Sequence, residues 1–363
     1  MNFYSYREVK LKSKHRSKIL KKHYNYDILN KNSDTLKTYS NSIFSVPNLI
    51  IMPKLYFRIA VILLLTSCAS TKKAKYDDYV FHNKSEQNAY IKAYDKALKL
   101  WDVPYTEENI KTSFGKVHVI LAGPKNGKDL VLLHGMDASS TMWYPNIKAL
   151  AKNHRIYAID FMMEPSKSTL TASPLSKEDM VSCYNEIFNY YKLKNFDIVA
   201  ASRGGWIATL LATQKTNSID KIVLLSPAQT FKFIDKMGKT TSALMLKLFP
   251  SEKKFGKTLT TFSTHPEKIS PVYKRQFYLA NKYAKSNSSM LKMTPFSNDE
   301  LRSISNPILV LIGDHDVING DDSVERAKEY LPHSKTKTIK DAGHFLSIDQ
   351  SKIVNDAMVD FLK

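Results

Sequence analysis

The chain has little cysteine and no long apolar run. Only two of its 363 residues are cysteines, Cys68 and Cys183, so a fold held by several disulfides is excluded. The longest apolar run, Ile59–Leu65, has seven residues, whereas a helix that spans a bilayer needs about 20. The sequence also lacks metal-ligand spacings, a phosphate-binding loop, a dinucleotide fingerprint and internal repeats. We therefore expect no metal and no cofactor.

Acidic residues are scarce, with 34 Asp and Glu against 54 Lys and Arg. Residues 1–51 carry a net charge of +7 and residues 52–68 a further +2, which leaves +11 on residues 69–363. Such an excess can attract anionic lipid headgroups, or it can reflect a lysine-rich composition spread over a solvated surface, and we expect the second. Aromatic and basic residues do not interleave as they do on a nucleic-acid-binding face, so no nucleic-acid partner is expected.

A signal-peptide pattern lies well inside the chain, at residues 52–68. The basic stretch Met52–Arg58 precedes the apolar run Ile59–Leu65, and Leu-Thr-Ser-Cys then ends at Cys68. Small residues directly before a cysteine resemble the cleavage site of bacterial lipoproteins, in which that cysteine becomes the lipid-bearing N-terminus. The pattern predicts a protein of the bacterial cell envelope, attached to the membrane by a lipid on Cys68. The alternative is a short buried segment with an ordinary cysteine.

Residues 1–51 show no pattern of a folded domain. They are polar and basic, contain no glycine and have no sustained apolar periodicity, so we expect little stable structure. Because a signal peptide acts at an N-terminus, our hypothesis is that Met52 is the true start and that residues 1–51 are a mis-assigned start. Residues 69–84 are predicted to be a tether to a domain of residues 85–363. Cys183 is expected to be a small buried apolar residue of that domain.

A serine lies on a predicted turn between a strand and a helix. The apolar run Ile198–Ala201 predicts a buried strand, and Trp206–Ala212 predicts a helix. Between them lie Ser202, an arginine and two glycines. This context is that of a nucleophile elbow, in which a sharp turn exposes the serine hydroxyl above the sheet. Side chains two residues to either side of the serine would collide, which explains the small residues Ala200 and Gly204.

An acid and a histidine follow the serine along the chain. The run Pro307–Ile312 predicts a buried strand that ends in Gly-Asp-His-Asp, so a carboxylate lies at the C-terminal end of a parallel strand, where ligands collect. His344 lies on a loop between a short predicted strand and the final helix. The order Ser202, Asp316, His344 is that of α/β-hydrolases. Their Gly-x-x-Asp pattern favours Asp316 as the acid over Asp314.

These three residues predict nucleophilic catalysis. A serine hydroxyl is a poor nucleophile at neutral pH until a base accepts its proton, and His344 would be that base. Asp316 would orient the imidazole and stabilise its charged form.

The predicted reaction also needs hydrogen-bond donors for a developing oxyanion. We expect one to be the backbone N–H of Arg203, directly after the serine. The other is expected to be the N–H of Met136, in the loop after the strand Leu130–Leu133. His134, in the same loop, is interpreted as a structural residue that shapes the loop.

Strands and helices alternate along the domain. The alternation predicts an α/β fold with a mostly parallel central sheet and helices on both faces. An amphipathic helix at Ser85–Trp101 and a hairpin within Lys111–Ala122 are predicted before it. The predicted strands of the parallel part are Leu130–Leu133, Ile156–Asp160, Ile198–Ala201, Ile222–Ser226, Ile308–Ile312 and Lys337–Lys340.

Six longer segments carry a family resemblance, which covers about residue 89 to the C-terminus. The segments are Ala93–Trp101, Val103–Tyr105, Thr112–Gly115, Leu132–Gly135, Ser139–Ile147 and Leu225–Ala228. They resemble the α/β-hydrolase superfamily and, within it, bacterial carboxylesterases of the naproxen-esterase type. The resemblance implies an α/β-hydrolase fold. It also implies that the long stretch at about residues 229–305, with helical patterns at Met237–Phe249 and Val272–Tyr283, is a helical cap over the active site.

The sequence as a whole predicts a serine hydrolase that cleaves small or medium apolar carboxylic esters through an acyl-enzyme. An amidase or aminopeptidase on the same fold and a catalytically silent envelope protein are the alternatives.

The chain departs from the family pattern at two places. Ala200 replaces the usual first glycine of Gly-x-Ser-x-Gly, and the loop Asp160–Ser168 lacks the glycines of many relatives. Arg203 opposes the dipole of the helix that it begins, so we expect it to pair with a carboxylate, either in the protein or on an acidic substrate.

Overall fold

The structure is a computed structural model that describes residues 78–171, 174–214, 218–234, 237–285 and 293–363. Residues 1–51, the signal-peptide pattern and Cys68 lie outside these ranges, and the roles assigned to them stay predictions. Among the helices that the described residues form, none is long and apolar enough to cross a membrane.

A nine-stranded sheet forms the centre of the described chain. Its spatial order is β1-β2-β4-β3-β6-β7-β8-β9, with β5 paired to β2. The β2 strand pairs antiparallel with its three neighbours, and all the other pairs are parallel, so the predicted mostly parallel sheet is confirmed. The strands are β1 (Tyr105–Thr112), β2 (Gly115–Ala122), β3 (Lys128–Leu133), β4 (His154–Ile159), β5 (Thr169–Leu170), β6 (Phe196–Ala201), β7 (Ile219–Leu225), β8 (Ile308–Gly313) and β9 (Ser334–Ile339).

The central strands bury both of their faces. In β3, Val131 and Leu133 belong to the apolar core on one side of the sheet, and Leu130 and Leu132 belong to the core on the other side. Burial on both faces explains why these strands are continuous apolar runs. The helices are α1 (Lys84–Leu98), α2 (Ile147–Leu150), α3 (Lys177–Tyr190), α4 (Arg203–Thr213), α5 (Met237–Leu248), α6 (Glu252–Phe262), α7 (Pro271–Tyr283), α8 (Asn298–Arg302), α9 (Asp321–Tyr330), α10 (Leu346–Asp349) and α11 (Ser351–Leu362).

The observed strands extend beyond the apolar runs that predicted them. Most begin two or three residues earlier, as β3 does at Lys128 and β4 at His154. Most of these first residues are polar although the backbone already pairs there, so an apolar-run criterion misses them. The edge strand β1 was predicted only at its end, because Ile110 is its one buried residue and the rest is polar or partly exposed.

Helices between β7 and β8 form the insertion that the resemblance implied. Gln276 of α7 joins it to the rest of the domain. Its amide nitrogen donates to the Tyr90 hydroxyl at 3.0 Å and to Ser139 Oγ at 2.8 Å, and its amide oxygen accepts from Thr141 Oγ1 at 2.7 Å. The helix α6, also in this insertion, was not predicted from the sequence.

The chain is already packed before the predicted end of the tether. Val80 and Phe81 are only 4% and 1% exposed, and Phe81 forms a β-bridge with Ala284. The predicted tether of residues 69–84 therefore extends too far. Two apolar residues in a polar stretch do not reveal their partner, because that partner lies some 200 residues further along the chain.

A buried charge cluster fixes the start of the loop after β4. The His118 ring lies between two carboxylates, with Nδ1 3.0 Å from Asp160 Oδ2 and Nε2 2.9 Å from Glu107 Oε2. Asp160 also accepts hydrogen bonds from the Tyr94 hydroxyl at 2.8 Å and from the Ser140 N–H at 2.9 Å. Burial lowers the pKa of His118, but the two carboxylates raise it by more, to about 9.

The cluster predicts a pH dependence of stability. His118 keeps its proton up to about pH 9 in the folded state, against an ordinary pKa of 6.5. Its contribution to the free energy of unfolding is therefore complete below pH 6.5 and is lost as the pH rises through about 9. At about 1.4 kcal/mol per pKa unit, the loss is at most about 3 kcal/mol.

Urea denaturation across this pH range measures the effect. His118→Gln should be less stable at the acidic end and should remove most of the slope. His333→Gln, a change at an exposed histidine, should retain the slope of the wild type. Equal slopes in the two variants would contradict the assignment.

Candidate active site

The candidate nucleophile lies on the turn between β6 and α4. Ser202 has φ 51° and ψ −114°, a positive-φ conformation that costs a residue with a side chain about 1–3 kcal/mol. Its N–H donates to the Leu225 carbonyl at 2.9 Å, and its own carbonyl accepts from the N–H groups of Gly205 at 3.0 Å and Ala228 at 3.1 Å. Backbone hydrogen bonds to β7 and the loop after it therefore hold the strained turn in place.

Close backbone contacts require the glycines beside the serine. A Cβ atom on Gly204 would lie 2.2 Å from the Leu133 carbonyl oxygen, and one on Gly205 would lie 2.7 Å from Pro227 Cβ. Neither distance is possible without backbone movement. The small residue expected at position 204 is thus required because α4 begins directly against the end of β3.

The structure brings Ser202, His344 and Asp316 together from three separate loops. His344 Nε2 lies 2.9 Å from Ser202 Oγ, and His344 Nδ1 lies 3.0 Å from Asp316 Oδ1. The side chains of His344 and Asp316 are 6% and 0% exposed. Because Nδ1 faces a carboxylate, we assign the ring proton to Nδ1, which leaves Nε2 as the acceptor for the serine hydroxyl.

Asp316 is held by three donors in addition to its burial. The Ile318 N–H donates to Oδ1 at 2.8 Å, the Asn319 side-chain amide donates to Oδ2 at 2.9 Å, and His344 is the third. Burial raises the pKa of Asp316, but the charge of His344 and these hydrogen bonds outweigh it, and the pKa lies below its ordinary value. Asn319 was not singled out from the sequence, because nothing in its local pattern distinguishes it from a turn residue.

Asp314, the other candidate acid, has a different contact. Its Oδ1 accepts the Ala342 N–H at 3.1 Å, and this bond ties the end of β8 to the loop that carries the histidine. Asp314 and Asp316 lie two residues apart, but only Asp316 has a hydrogen bond to His344 in the structure.

The loop of His344 is fixed by Asp349 and by the end of α6. Asp349 is buried, and its Oδ2 accepts the Gly343 N–H at 2.8 Å. The Phe262 carbonyl accepts the Phe345 N–H at 3.1 Å, and the Phe262 ring stands edge-on to His344 with centroids 5.8 Å apart. Sequence reasoning missed Asp349, because it reads as an ordinary polar residue before the last helix.

The loop after β3 passes directly beside the nucleophile. A Cβ atom on Gly135 would lie 3.2 Å from Ser202 Cβ, so the adjacent Met136 N–H lies on the segment that faces the serine. His134 is buried, and its Nε2 accepts the Phe161 N–H at 2.9 Å. The ring proton is therefore on Nδ1, which donates to the Gly135 carbonyl at 2.8 Å. Burial lowers the pKa of His134. As interpreted from the sequence, His134 shapes this loop.

Arg203 pairs with a carboxylate of the protein. Its guanidinium donates to Glu164 Oε1, and both side chains are 4% exposed. Glu164 Oε2 accepts the N–H of Asp137 at 2.9 Å, and the Asp137 carboxylate contacts Lys247 Nζ of α5 at 2.5 Å. Burial raises the pKa of Glu164, and the facing Arg203 charge offsets part of that rise. Glu164 thus links the residue after Ser202 to the residue after Met136.

The arrangement can activate a hydroxyl for attack on an acyl carbon. The serine hydroxyl faces an imidazole nitrogen, and the imidazole faces a buried carboxylate whose pKa is lowered. Within the described ranges, no group of three or more His, Cys, Asp and Glu side chains is placed to hold a metal ion.

This sheet order with a serine turn at the end of β6 defines a class of enzymes. A family model described as the alpha/beta hydrolase fold matches residues 129–351, which include Ser202, Asp316 and His344. The chain belongs to the α/β-hydrolase family, and the predicted fold class is confirmed.

More specific similarities are to carboxylesterases of Bacillus subtilis (strain 168). Carboxylesterase YbfK is 30% identical over 281 residues, which cover 75% of this chain and 93% of the relative. The uncharacterized carboxylesterase nap is 31% identical over 280 residues, or 75% and 91% of the two chains. The crystal structure of naproxen esterase (carboxylesterase NP) from Bacillus subtilis matches with a TM-score of 0.73 at 30% identity, over 77% of this chain and 99% of that one. The resemblance to the naproxen-esterase type is confirmed.

The buried pair of Arg203 and Glu164 gives a testable prediction. Glu164→Gln should lower the free energy of unfolding by about 3–5 kcal/mol, because it leaves the buried guanidinium without its carboxylate. The double change Glu164→Gln/Arg203→Met removes both charges and should recover most of that loss. Urea denaturation of the wild type and the variants measures both effects. A single variant as stable as the wild type would show that the pair is not what holds this loop.

Proposed function

We propose that the protein is a carboxylesterase that cleaves small or medium apolar esters through an acyl-enzyme on Ser202. The observation that carries the proposal is the contact of Ser202 Oγ with His344 Nε2 at 2.9 Å, with Asp316 on the other ring nitrogen at 3.0 Å. The relatives with 91% and 93% of their length covered are named carboxylesterases, which supports ester cleavage as the reaction.

Acylation begins when Ser202 Oγ attacks the carbonyl carbon of the ester. His344 Nε2 takes the hydroxyl proton as the bond forms. Asp316 stays ionised and stabilises the imidazolium through its bond to Nδ1. The negative charge moves to the former carbonyl oxygen, where the N–H groups of Met136 and Arg203 are proposed to bind it. In comparable sites the loss of one such donor costs about 3–4 kcal/mol of transition-state stabilisation.

The tetrahedral intermediate collapses when the carbon–oxygen bond to the alcohol breaks. His344 returns the proton to the departing alkoxide, and the acyl group remains on Ser202 Oγ. In the second half, His344 takes a proton from water, the hydroxide attacks the acyl carbon, and the carboxylic acid leaves as Ser202 regains its proton. The enzyme is thereby restored without any other reactant than water.

The surroundings of the triad favour an uncharged substrate. Phe262 and Phe345 both contact the His344 ring, with centroid distances of 5.8 and 6.2 Å. The side chain of Arg203 is committed to Glu164, which argues against its use as a receptor for an acidic group of the substrate. An apolar acyl or alcohol group matches these residues better than a charged one.

Substitutions of the two acids that follow β8, Asp314 and Asp316, test which of them belongs to the triad. Asp316→Asn should lower kcat for p-nitrophenyl esters by about 10⁴-fold, because the imidazole loses its orienting charge. Ser202→Ala should lower it by about 10⁶-fold. The matched control is Asp314→Asn, which keeps an oxygen acceptor for the Ala342 N–H and should retain near wild-type turnover.

In the same experiment, kcat for p-nitrophenyl esters of increasing acyl length shows how long an acyl chain the pocket accepts. Asp314→Asn as inactive as Asp316→Asn would overturn the assignment of the acid. Undiminished turnover by Ser202→Ala would overturn the proposed nucleophile.

We also propose that Cys68 carries a lipid and places the protein in the bacterial cell envelope. The signal-peptide pattern of residues 52–68 supports this proposal. Bacteria that express the protein while growing in medium with radiolabelled palmitate should yield labelled protein. The variant Cys68→Ser should carry no label. Cys183→Ser should retain it, because that cysteine is 4% exposed inside the domain. Label retained by Cys68→Ser, or a mature protein whose mass includes residues 1–51, would contradict the proposal.

A further inference from the structure

Helix α5 and the residue that follows it expose large apolar side chains on one face. Leu244, Met245, Leu248 and Phe249 are 53%, 39%, 49% and 62% exposed. Their spacing places them on consecutive turns of the same side of the helix. Leu246, between them, is fully buried. We call the four exposed residues the cap patch.

The cap patch differs from the pattern of the neighbouring helix. In α6 the apolar residues Phe255, Leu259 and Phe262 are buried, and the lysines Lys253 and Lys257 are exposed. Single exposed apolar residues are ordinary on a protein surface, but a contiguous group of large ones marks an interaction site. Helix α5 therefore attaches to the domain by one face and presents a second apolar face outward.

Basic residues are concentrated in the part of the sequence that contains the cap patch. Residues 237–285 contain ten Lys and Arg and two Glu, a net charge of +8, out of +11 for residues 69–363. The remainder of that stretch is nearly neutral at +3. The excess of basic residues is thus concentrated in this stretch of the sequence. Within it, Lys247, Lys268 and Lys285 bind Asp137, the Asp349 carbonyl and the Asp78 carbonyl, respectively. Lys254 lies 4.9 Å over the Phe249 ring and donates to the Phe249 carbonyl at 2.8 Å.

We propose that the cap patch docks on the surface of an anionic phospholipid bilayer. Apolar side chains on a helix enter the boundary between headgroups and acyl chains, and flanking lysines bind the phosphates. The stems of long basic side chains add apolar contact while their charges stay in the headgroup region. Eight of the ten basic residues lie on three successive helices, α5, α6 and α7, and this distribution fits an extended anionic surface better than an acidic peptide. Docking involves neither Ser202 nor the lipid on Cys68.

Sedimentation with vesicles tests the proposal on residues 69–363, which lack Cys68, the apolar run Ile59–Leu65 and the basic residues before it. The vesicles contain phosphatidylcholine and phosphatidylglycerol in equal parts. Leu244→Ser/Leu248→Ser/Phe249→Ser should lower the partition coefficient about 10- to 100-fold, because three large apolar side chains no longer enter the lipid. Tyr190→Ser/Ile353→Ser, which alters two exposed apolar residues on α3 and α11, should leave it unchanged.

Two double lysine variants of equal charge distinguish binding by the lysines near the cap patch from attraction by the total charge of the protein. Lys253→Gln/Lys257→Gln should lower binding to the mixed vesicles by about tenfold and should have little effect with phosphatidylcholine alone. Lys335→Gln/Lys337→Gln removes the same charge from the exposed strand β9 and should have little effect on either. Equal losses from both lysine pairs would overturn the proposal, because they would show attraction by total charge alone.

Tryptophan fluorescence at position 249 tests the proposal even if the triple variant does not fold. Phe249→Trp should shift its emission to the blue when mixed vesicles are added, and Ile353→Trp should not. Hydrolysis of a soluble p-nitrophenyl ester reports folding of each variant. Wild-type vesicle binding by a folded triple variant, or no shift from Phe249→Trp, would overturn the proposal and assign the cap patch to a protein partner.

Discussion

The turn at Ser202 is the constraint on which the rest of the site depends. A residue with a side chain adopts φ 51° there, and the strain persists because β7 and the following loop hold both ends of the turn by backbone hydrogen bonds. Gly204 lies so close to the end of β3 that no side chain fits between them. That close contact brings the loop of Met136 against the serine. The nucleophile and both proposed oxyanion donors are thus positioned by one backbone contact.

Buried charges hold the loop after β4 at two points. Asp160, at its start, is surrounded by His118, Tyr94 and the Ser140 N–H, and Glu164, further along, binds Arg203 and the Asp137 N–H. A buried ion pair adds little net stability, but the loss of one partner is costly, so such pairs fix geometry more than they stabilise. These contacts explain how a loop without glycines keeps a defined path beside the site.

The parts of the fold that were predicted correctly are those with a local signal. The capping box at Ser176 and Asp179 that opens α3 is readable in the sequence as a serine followed three residues later by an acid, and the buried strands were found from their apolar runs. The edge strand β1 was predicted only at its end, because its polar residues face solvent and leave a weak pattern. The helix α6 was missed although Phe255, Leu259 and Phe262 recur at helical spacing. Val80 and Phe81 were assigned to a tether, since nothing nearby in the sequence shows that Phe81 pairs with Ala284.

The sequence by itself determined the succession of strands and helices and the residue types of the site, because each depends on neighbours within a few positions. The elbow around Ser202 and the order of acid and histidine needed no further information. Only the tertiary structure decided that Asp316 rather than Asp314 meets His344, and that Glu164 is the partner of Arg203. It also decided that α5 turns Leu246 inward and Phe249 outward. These outcomes depend on contacts between segments that are far apart in the chain, and such contacts leave no periodicity in the sequence.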